Sequence, residues 1–169
     1  VTIFGTGRAK GGDRAYELAG EVGRVLAQAG FTIANGGYAG TMLAAAQGAA
    51  AAGGQTIGVT CSAFGRGGPN EFISREIATE SLDERLDTLI KLGLAYVVLP
   101  GGTGTLLELA KVWELKNKGF LAGGKPIILV GEFWKPLVDL VGSDDPKSIG
   151  SIYQADGPEQ VRDILMECI

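Results

Sequence analysis

The run Ala95-Tyr96-Val97-Val98-Leu99 stops at Pro100-Gly101-Gly102, and Thr103-Gly104-Thr105-Leu106-Leu107-Glu108 then opens a helix-forming sequence. An apolar, partly β-branched segment ending in a glycine turn before a helix is a strand–turn–helix corner. The first backbone N–H groups of such a helix have no intrahelical partner, and its dipole favours negative charge there. Glycines let a ligand approach the backbone closely, so Gly101, Gly102, Thr103, Gly104 and Thr105 are candidate phosphate-binding residues. Glu108 follows one turn in and sets a carboxylate beside that corner. A competing reading is local: Thr105-x-x-Glu108 fits a capping box, with Glu108 reaching back to the helix start.

A second glycine corner precedes it. Phe31-Thr32-Ile33-Ala34 reads as a strand, followed by Asn35-Gly36-Gly37-Tyr38-Ala39-Gly40-Thr41-Met42 at the start of a helix. Gly36, Gly37, Gly40, Thr41 and Met42 are therefore candidates too, because two helix N-termini on one sheet edge can converge on one phosphate. Val1 to Phe4 reads as the first strand and ends in Gly5-Thr6-Gly7, a turn suited to lining a nucleotide site. It is a poor dinucleotide fingerprint: the third glycine is misplaced, and the second strand ends in Asn35 rather than an acidic residue.

Composition narrows the chemistry. The chain has no histidine, which removes Ser-His-Asp and Cys-His nucleophile systems and His-ligated metals. General acid or base work falls to carboxylate, lysine, tyrosine or cysteine. A net charge of −4 without a basic run argues against nucleic acid as a partner. Cys61 and Cys168 have no metal or disulfide spacing, so a reduced cytoplasmic setting is expected. No apolar run reaches membrane-spanning length.

The remaining pattern alternates strand and helix, giving a Rossmann-like, doubly wound parallel sheet in a three-layer α/β/α sandwich, as one domain over residues 1–169. Helices are expected from about Asp13, a candidate cap, to Ala29, and from Leu82 to Leu94, with Leu82, Leu86, Leu89, Ile90 and Gly93 on one stripe. Leu106, Leu109, Ala110 and Trp113 are expected to form the buried face of the helix after the central corner, with Glu114 and Lys118 as an exposed i,i+4 pair. Strands are expected at Thr56–Thr60, Pro126–Val130 and Ser151–Ala155, and a loop from Gly119 to Gly124. A helix with Trp134 and Leu137 to Val141 and a last one from Pro158 to Cys168 complete the pattern. Between Ser62 and Asn70 the glycine-rich segment carrying Arg66 reads as a lid or a linker. Glu71, Arg75, Glu76 and Glu80 follow it, each able to face a substrate.

Pro100-Gly101-Gly102-Thr103-Gly104-Thr105-Leu106-Leu107-Glu108 resembles the Pro-Gly-Gly-x-Gly-Thr-x-x-Glu motif of the Lonely Guy family. Asn35 to Met42 resembles that family's Gly-Gly-Gly-x-x-Gly-x-Met segment, with Asn35 replacing the first glycine. Arg85 aligns with the arginine of its Met-x-x-Arg-Lys segment, where Leu86 replaces the lysine. Gly5 and Thr6 sit where the family has a Gly-Ser turn, and Lys125-Pro126 also recurs. The resemblance runs from Val1 to about Val141. It implies a phosphoribohydrolase cleaving nucleoside 5′-monophosphates, including cytokinin ribotides, to free base and ribose 5-phosphate. It also implies a homodimer with sites near the subunit interface. Glu108 and Arg85 are then the catalytic candidates: the carboxylate stabilises an oxocarbenium-like ribose and orients water, and the guanidinium holds phosphate or ribose. No metal or organic cofactor is called for. The alternative is a carrier resembling molybdenum-cofactor carrier proteins, holding a phosphate-bearing pterin unchanged. A pyridoxal-phosphate decarboxylase fits badly, with no lysine in a Schiff-base context.

Overall fold

The computed structural model describes residues 1–121 and 124–169. Seven parallel strands form one sheet: β1 Thr2–Phe4, β2 Ile33–Asn35, β3 Thr56–Cys61, β4 Arg75–Thr79, β5 Tyr96–Val98, β6 Ile127–Val130 and β7 Ile152–Ala155. Six α-helices alternate with them: α1 Arg14–Gln28, α2 Thr41–Ala51, α3 Leu82–Leu92, α4 Thr103–Asn117, α5 Lys135–Asp144 and α6 Pro158–Cys168. The strand order is β4-β3-β2-β1-β5-β6-β7. The chain builds outward from β1 to β4, then crosses back to lay β5 against β1 on the other side. That reversal opens a crevice above the carboxyl ends of β1 and β5, where ligands of such sheets bind.

Successive strand residues serve opposite faces, as the period of two requires. Ile3, Val97 and Ile128 pack with Val22 and Leu26 of α1, Ala45 and Ala49 of α2, and Val161 and Leu165 of α6. Phe4, Tyr96, Val98, Ile127 and Leu129 pack with Leu89 of α3, Leu109, Val112 and Trp113 of α4, and partly buried residues of α5. The three-layer doubly wound architecture expected from the sequence is the one observed. Small residues set the spacing of α1 and α2: a Cβ at Gly48 would lie 2.0 Å from the Gly20 carbonyl oxygen.

Several local expectations need correction. The strand β4 was not anticipated, because Arg75-Glu76-Ile77-Ala78-Thr79 shows its charges to solvent as an edge strand does. Asp13 precedes α1 but makes no side-chain cap; its carboxylate accepts from the Lys10 N–H at 2.8 Å. In α4 the buried residues are Thr105, Leu109, Val112 and Trp113, while Leu106 and Ala110 are exposed. The stripe is rotated because Thr105, not Leu106, packs back under the glycine corner: a Cβ at Gly101 would meet its Oγ1 at 2.2 Å. Leu82, expected on the same stripe of α3 as Leu86 and Leu89, is 45% exposed. The pair Glu114–Lys118 forms at 3.6 Å. The loop expected from Gly119 to Gly124 lies partly outside the described residues.

Candidate functional site

A cavity of about 570 Å³ opens above β1 and β5. Its floor is the turn Gly5–Arg8 after β1, and one wall is the start of α4 from Gly102 to Glu108. The helix begins at Thr103 behind the N-cap Gly102, which supplies no side-chain cap. Its first intrahelical bond runs from the Leu106 N–H to the Gly102 carbonyl at 2.9 Å. The N–H groups of Thr103, Gly104 and Thr105 precede that bond and so have no helical acceptors, and all three residues border the cavity. With the N-cap at Gly102, Thr105 lies inside the helix, and the capping-box reading of Thr105 and Glu108 is set aside.

Glu108 points instead across the cavity to Arg85. Its Oε1 lies 3.9 Å from Arg85 Nη1, with the side chains only 15% and 9% exposed. Burial pushes the Glu108 carboxyl up to about 7, a rise that the Arg85 charge partly opposes. Burial also lowers the Arg85 guanidinium, with Glu108 acting against that shift and Arg66 adding to it. Arginine nevertheless stays protonated near neutrality.

Four contacts hold Arg85 in place. Its Nε donates to the Val59 carbonyl at 2.8 Å, and its guanidinium lies 5.8 Å from the Tyr38 ring centre and 5.4 Å from that of Phe64. The flank beside it belongs to Gly36, where an added Cβ would sit 1.8 Å from Nη2. Tyr38 is itself pinned: its hydroxyl accepts from the Cys61 N–H at 2.8 Å and donates to the Cys61 carbonyl at 3.2 Å.

The corner after β2 has a different job from the one after β5. Gly37 gives its N–H to Asn35 Oδ1 at 2.8 Å, and Asn35 Nδ2 donates to the Met42 carbonyl at 3.0 Å. The Thr41 N–H and Oγ1 both donate to the Thr6 carbonyl, at 2.9 and 3.0 Å. Gly40 has φ 69°, and a Cβ there would strike the Thr6 oxygen at 2.3 Å. Gly36, Gly37, Gly40 and Thr41 therefore brace the β1 turn and Arg85 from behind and do not line the cavity. Met42, Gly5, Thr6, Gly102, Thr103, Gly104 and Thr105 do line it, while Gly101 sits behind Thr105.

Sequence reasoning left out part of the lining. Arg8, Tyr38, Phe64, Leu82 and Leu107 border the cavity unannounced, together with Arg66 of the segment expected as a lid or linker and Leu86 beside Arg85. The aromatic pair carried no signal, since Tyr38 and Phe64 are far apart in sequence and meet only when the loop after β3 folds back. Glu71, Arg75, Glu76 and Glu80 are not part of the lining; Glu76 instead accepts from Thr60 Oγ1 at 2.6 Å. Leu86 is 4% exposed and forms apolar wall where the resembling family has a lysine. Among the described residues no group of three or more His, Cys, Asp or Glu could hold a metal ion.

The profile of the SLOG cluster4 family matches residues 1–161. The chain belongs to that family. This SLOG cluster4 protein is 35% identical over 128 residues to the cytokinin riboside 5′-monophosphate phosphoribohydrolase of Mycobacterium marinum, covering 70% of this chain and 63% of that one. Its identity to the Mycobacterium tuberculosis protein of the same name is 37% over 125 residues, covering 68% and 61%. The chain thus spans about three-fifths of the length of the curated relatives it matches. These matches bear out the Lonely Guy resemblance read from the glycine motif. The molybdenum cofactor binding protein of Rippkaea orientalis shares the fold of this SLOG cluster4 chain, with a TM-score of 0.80 at 23% identity, covering 98% of this chain and 94% of that one. No described helix is long and apolar enough to cross a membrane.

Proposed function

We propose that this chain is a nucleoside 5′-monophosphate phosphoribohydrolase, releasing free base and ribose 5-phosphate from AMP or cytokinin ribotides. The observation that carries this reading is the placement of Glu108: a carboxyl raised to about 7, held beside Arg85, one helical turn from unpartnered α4 N–H groups. Those N–H groups, with the Gly5–Arg8 turn, receive the 5′-phosphate and anchor the sugar. As the C1′–N bond breaks, its electrons leave with the base and positive charge grows on the ribose. The Glu108 carboxylate stabilises that charge and takes a proton from the water that attacks C1′. Arg85 orients Glu108 and adds a charged donor to the phosphate or ribose. Two chains assemble as a homodimer, and the reaction runs in a reducing cytoplasm, where Cys61 and Cys168 stay unpaired. One domain carries the whole site.

A second reading, a carrier of a phosphate-bearing pterin, draws on the apolar wall at Leu86 and on the shared fold with a molybdenum cofactor binding protein. Chromatography of an AMP incubation separates the two. Adenine with ribose 5-phosphate supports the hydrolase. Unchanged monophosphates together with tight pterin binding would support the carrier.

A further inference from the structure

One charged side chain at the cavity does no work in the account above. Arg66 lies midway along the glycine-rich segment after β3, with its guanidinium 5.2 Å from the Tyr38 ring centre and 5.9 Å from that of Phe64. No carboxylate pairs with it among the described residues. It faces the same two rings as Arg85, so two like charges share one aromatic pair, and an electron-rich ligand placed there would be favoured by both.

The segment is built to hold that side chain at the cavity. At one end, the Tyr38 hydroxyl bridges both backbone groups of Cys61. At the other, Asn70 Nδ2 donates to the Gly37 and Tyr38 carbonyls at 3.0 and 2.8 Å. The Asn70 N–H adds a 2.7 Å bond to the Gly37 carbonyl. Between these anchors Gly65 adopts φ 60°, a left-handed turn that sets the direction of Arg66.

The order of groups across the cavity matches the order of parts in a nucleotide. The α4 N–H groups come first, Glu108 lies one turn along the same helix, and Arg85 is 3.9 Å from it. The rings touched by Arg85 are those touched by Arg66. With phosphate at the helix start and C1′ at Glu108, the base falls on Tyr38, Phe64 and Arg66. We propose that Arg66 binds the departing base, stacking beside the aromatic pair and donating hydrogen bonds to ring nitrogens as electrons flow into them. Flat guanidinium and aromatic faces are general partners for nucleobases. Arginine keeps its own proton, and the departing base takes one from solvent. This rests on the phosphoribohydrolase reading but has its own readout.

The test titrates free adenine and ribose 5-phosphate into wild type, Arg66→Ala and Arg66→Lys by calorimetry, and measures kcat on AMP for each. Arg66 is exposed and outside the core, so the variants keep the fold, which circular dichroism checks. In Arg66→Ala, adenine should bind roughly tenfold or more weakly, ribose 5-phosphate should bind as before, and kcat should fall. Lysine, which keeps the charge without the plane, should restore adenine affinity only in part. Unchanged adenine affinity, or a loss confined to ribose 5-phosphate, would overturn the assignment. Adenine binding that depends on Arg66 in a protein releasing no adenine from AMP would sink the hydrolase while sustaining the base contact.

Discussion

Arg85 Nη1 stands 3.9 Å from Glu108 Oε1, too far for a tight ion pair, in a wall where both side chains are largely withdrawn from water. The distance matters chemically. A closed, bidentate pair would hold the carboxylate well below neutrality and commit both groups to each other. An open pair leaves burial as the dominant influence on Glu108, so the carboxyl titrates near 7 and both partners keep capacity for a ligand.

The pH dependence of turnover follows from that balance. Only the ionised carboxyl can stabilise a cationic ribose or accept a proton from water, so kcat/KM on AMP should rise with pH and level off above about 7. Replacing Arg85 by Met removes the one group that lowers the Glu108 value, and the rising limb should move to higher pH. A pH–rate profile of both proteins checks the direction.

Stability should show the same group with the opposite sense. In the unfolded chain Glu108 titrates near the ordinary glutamate value of 4.5, against about 7 when folded. Between those values the folded state binds more protons, so stability is lost as pH rises through this window. The difference amounts to roughly 3 kcal/mol at most. Urea unfolding at pH 5 and pH 8 should show Glu108→Gln more stable relative to wild type at pH 8 than at pH 5.

Two glycines separate bracing from binding. At Gly40, with φ 69° and the Thr6 oxygen 2.3 Å from a would-be Cβ, alanine should displace the β1 turn and cost about 1–3 kcal/mol. At Gly104 nothing lies within 4 Å. Alanine there should leave stability unchanged or raise it by up to about 1 kcal/mol, while KM for AMP should rise, since the methyl would enter the space proposed for the phosphate. Thermal unfolding and steady-state kinetics on the two variants distinguish these outcomes.

Asn70 secures the far end of the segment that bears Arg66. Asn70→Ala removes side-chain bonds to the Gly37 and Tyr38 carbonyls and to the Phe72 N–H. Amide exchange should quicken between residues 62 and 72 and stay protected in β1 and β5. Unfolding free energy should drop by about 1–3 kcal/mol.

Much of this arrangement was legible in the chain. The glycine corner after β5 and the carboxylate one turn beyond it could be placed from strand-to-helix punctuation alone. Local patterning fails where tertiary contacts decide. Asn35 looked like a lost glycine, yet its side chain takes the Gly37 N–H that a phosphate would otherwise use. The β2 corner therefore read as a binding loop when it is a buttress, because its donors are spent within the protein. Tyr38, Phe64 and Arg66 converge through the return of the segment after β3, a long-range contact with no periodicity to betray it. The strand β4 escaped notice because an edge strand shows its charges outward and so has no apolar run.

Adenine release from AMP by wild type and by Glu108→Gln, assayed together at pH 8, tests the central claim most directly. The substitution keeps the size and hydrogen-bonding reach of the side chain and removes only its charge and basicity. The rate should fall on the order of a hundredfold, with AMP still bound. Equal rates from the two proteins would contradict the account.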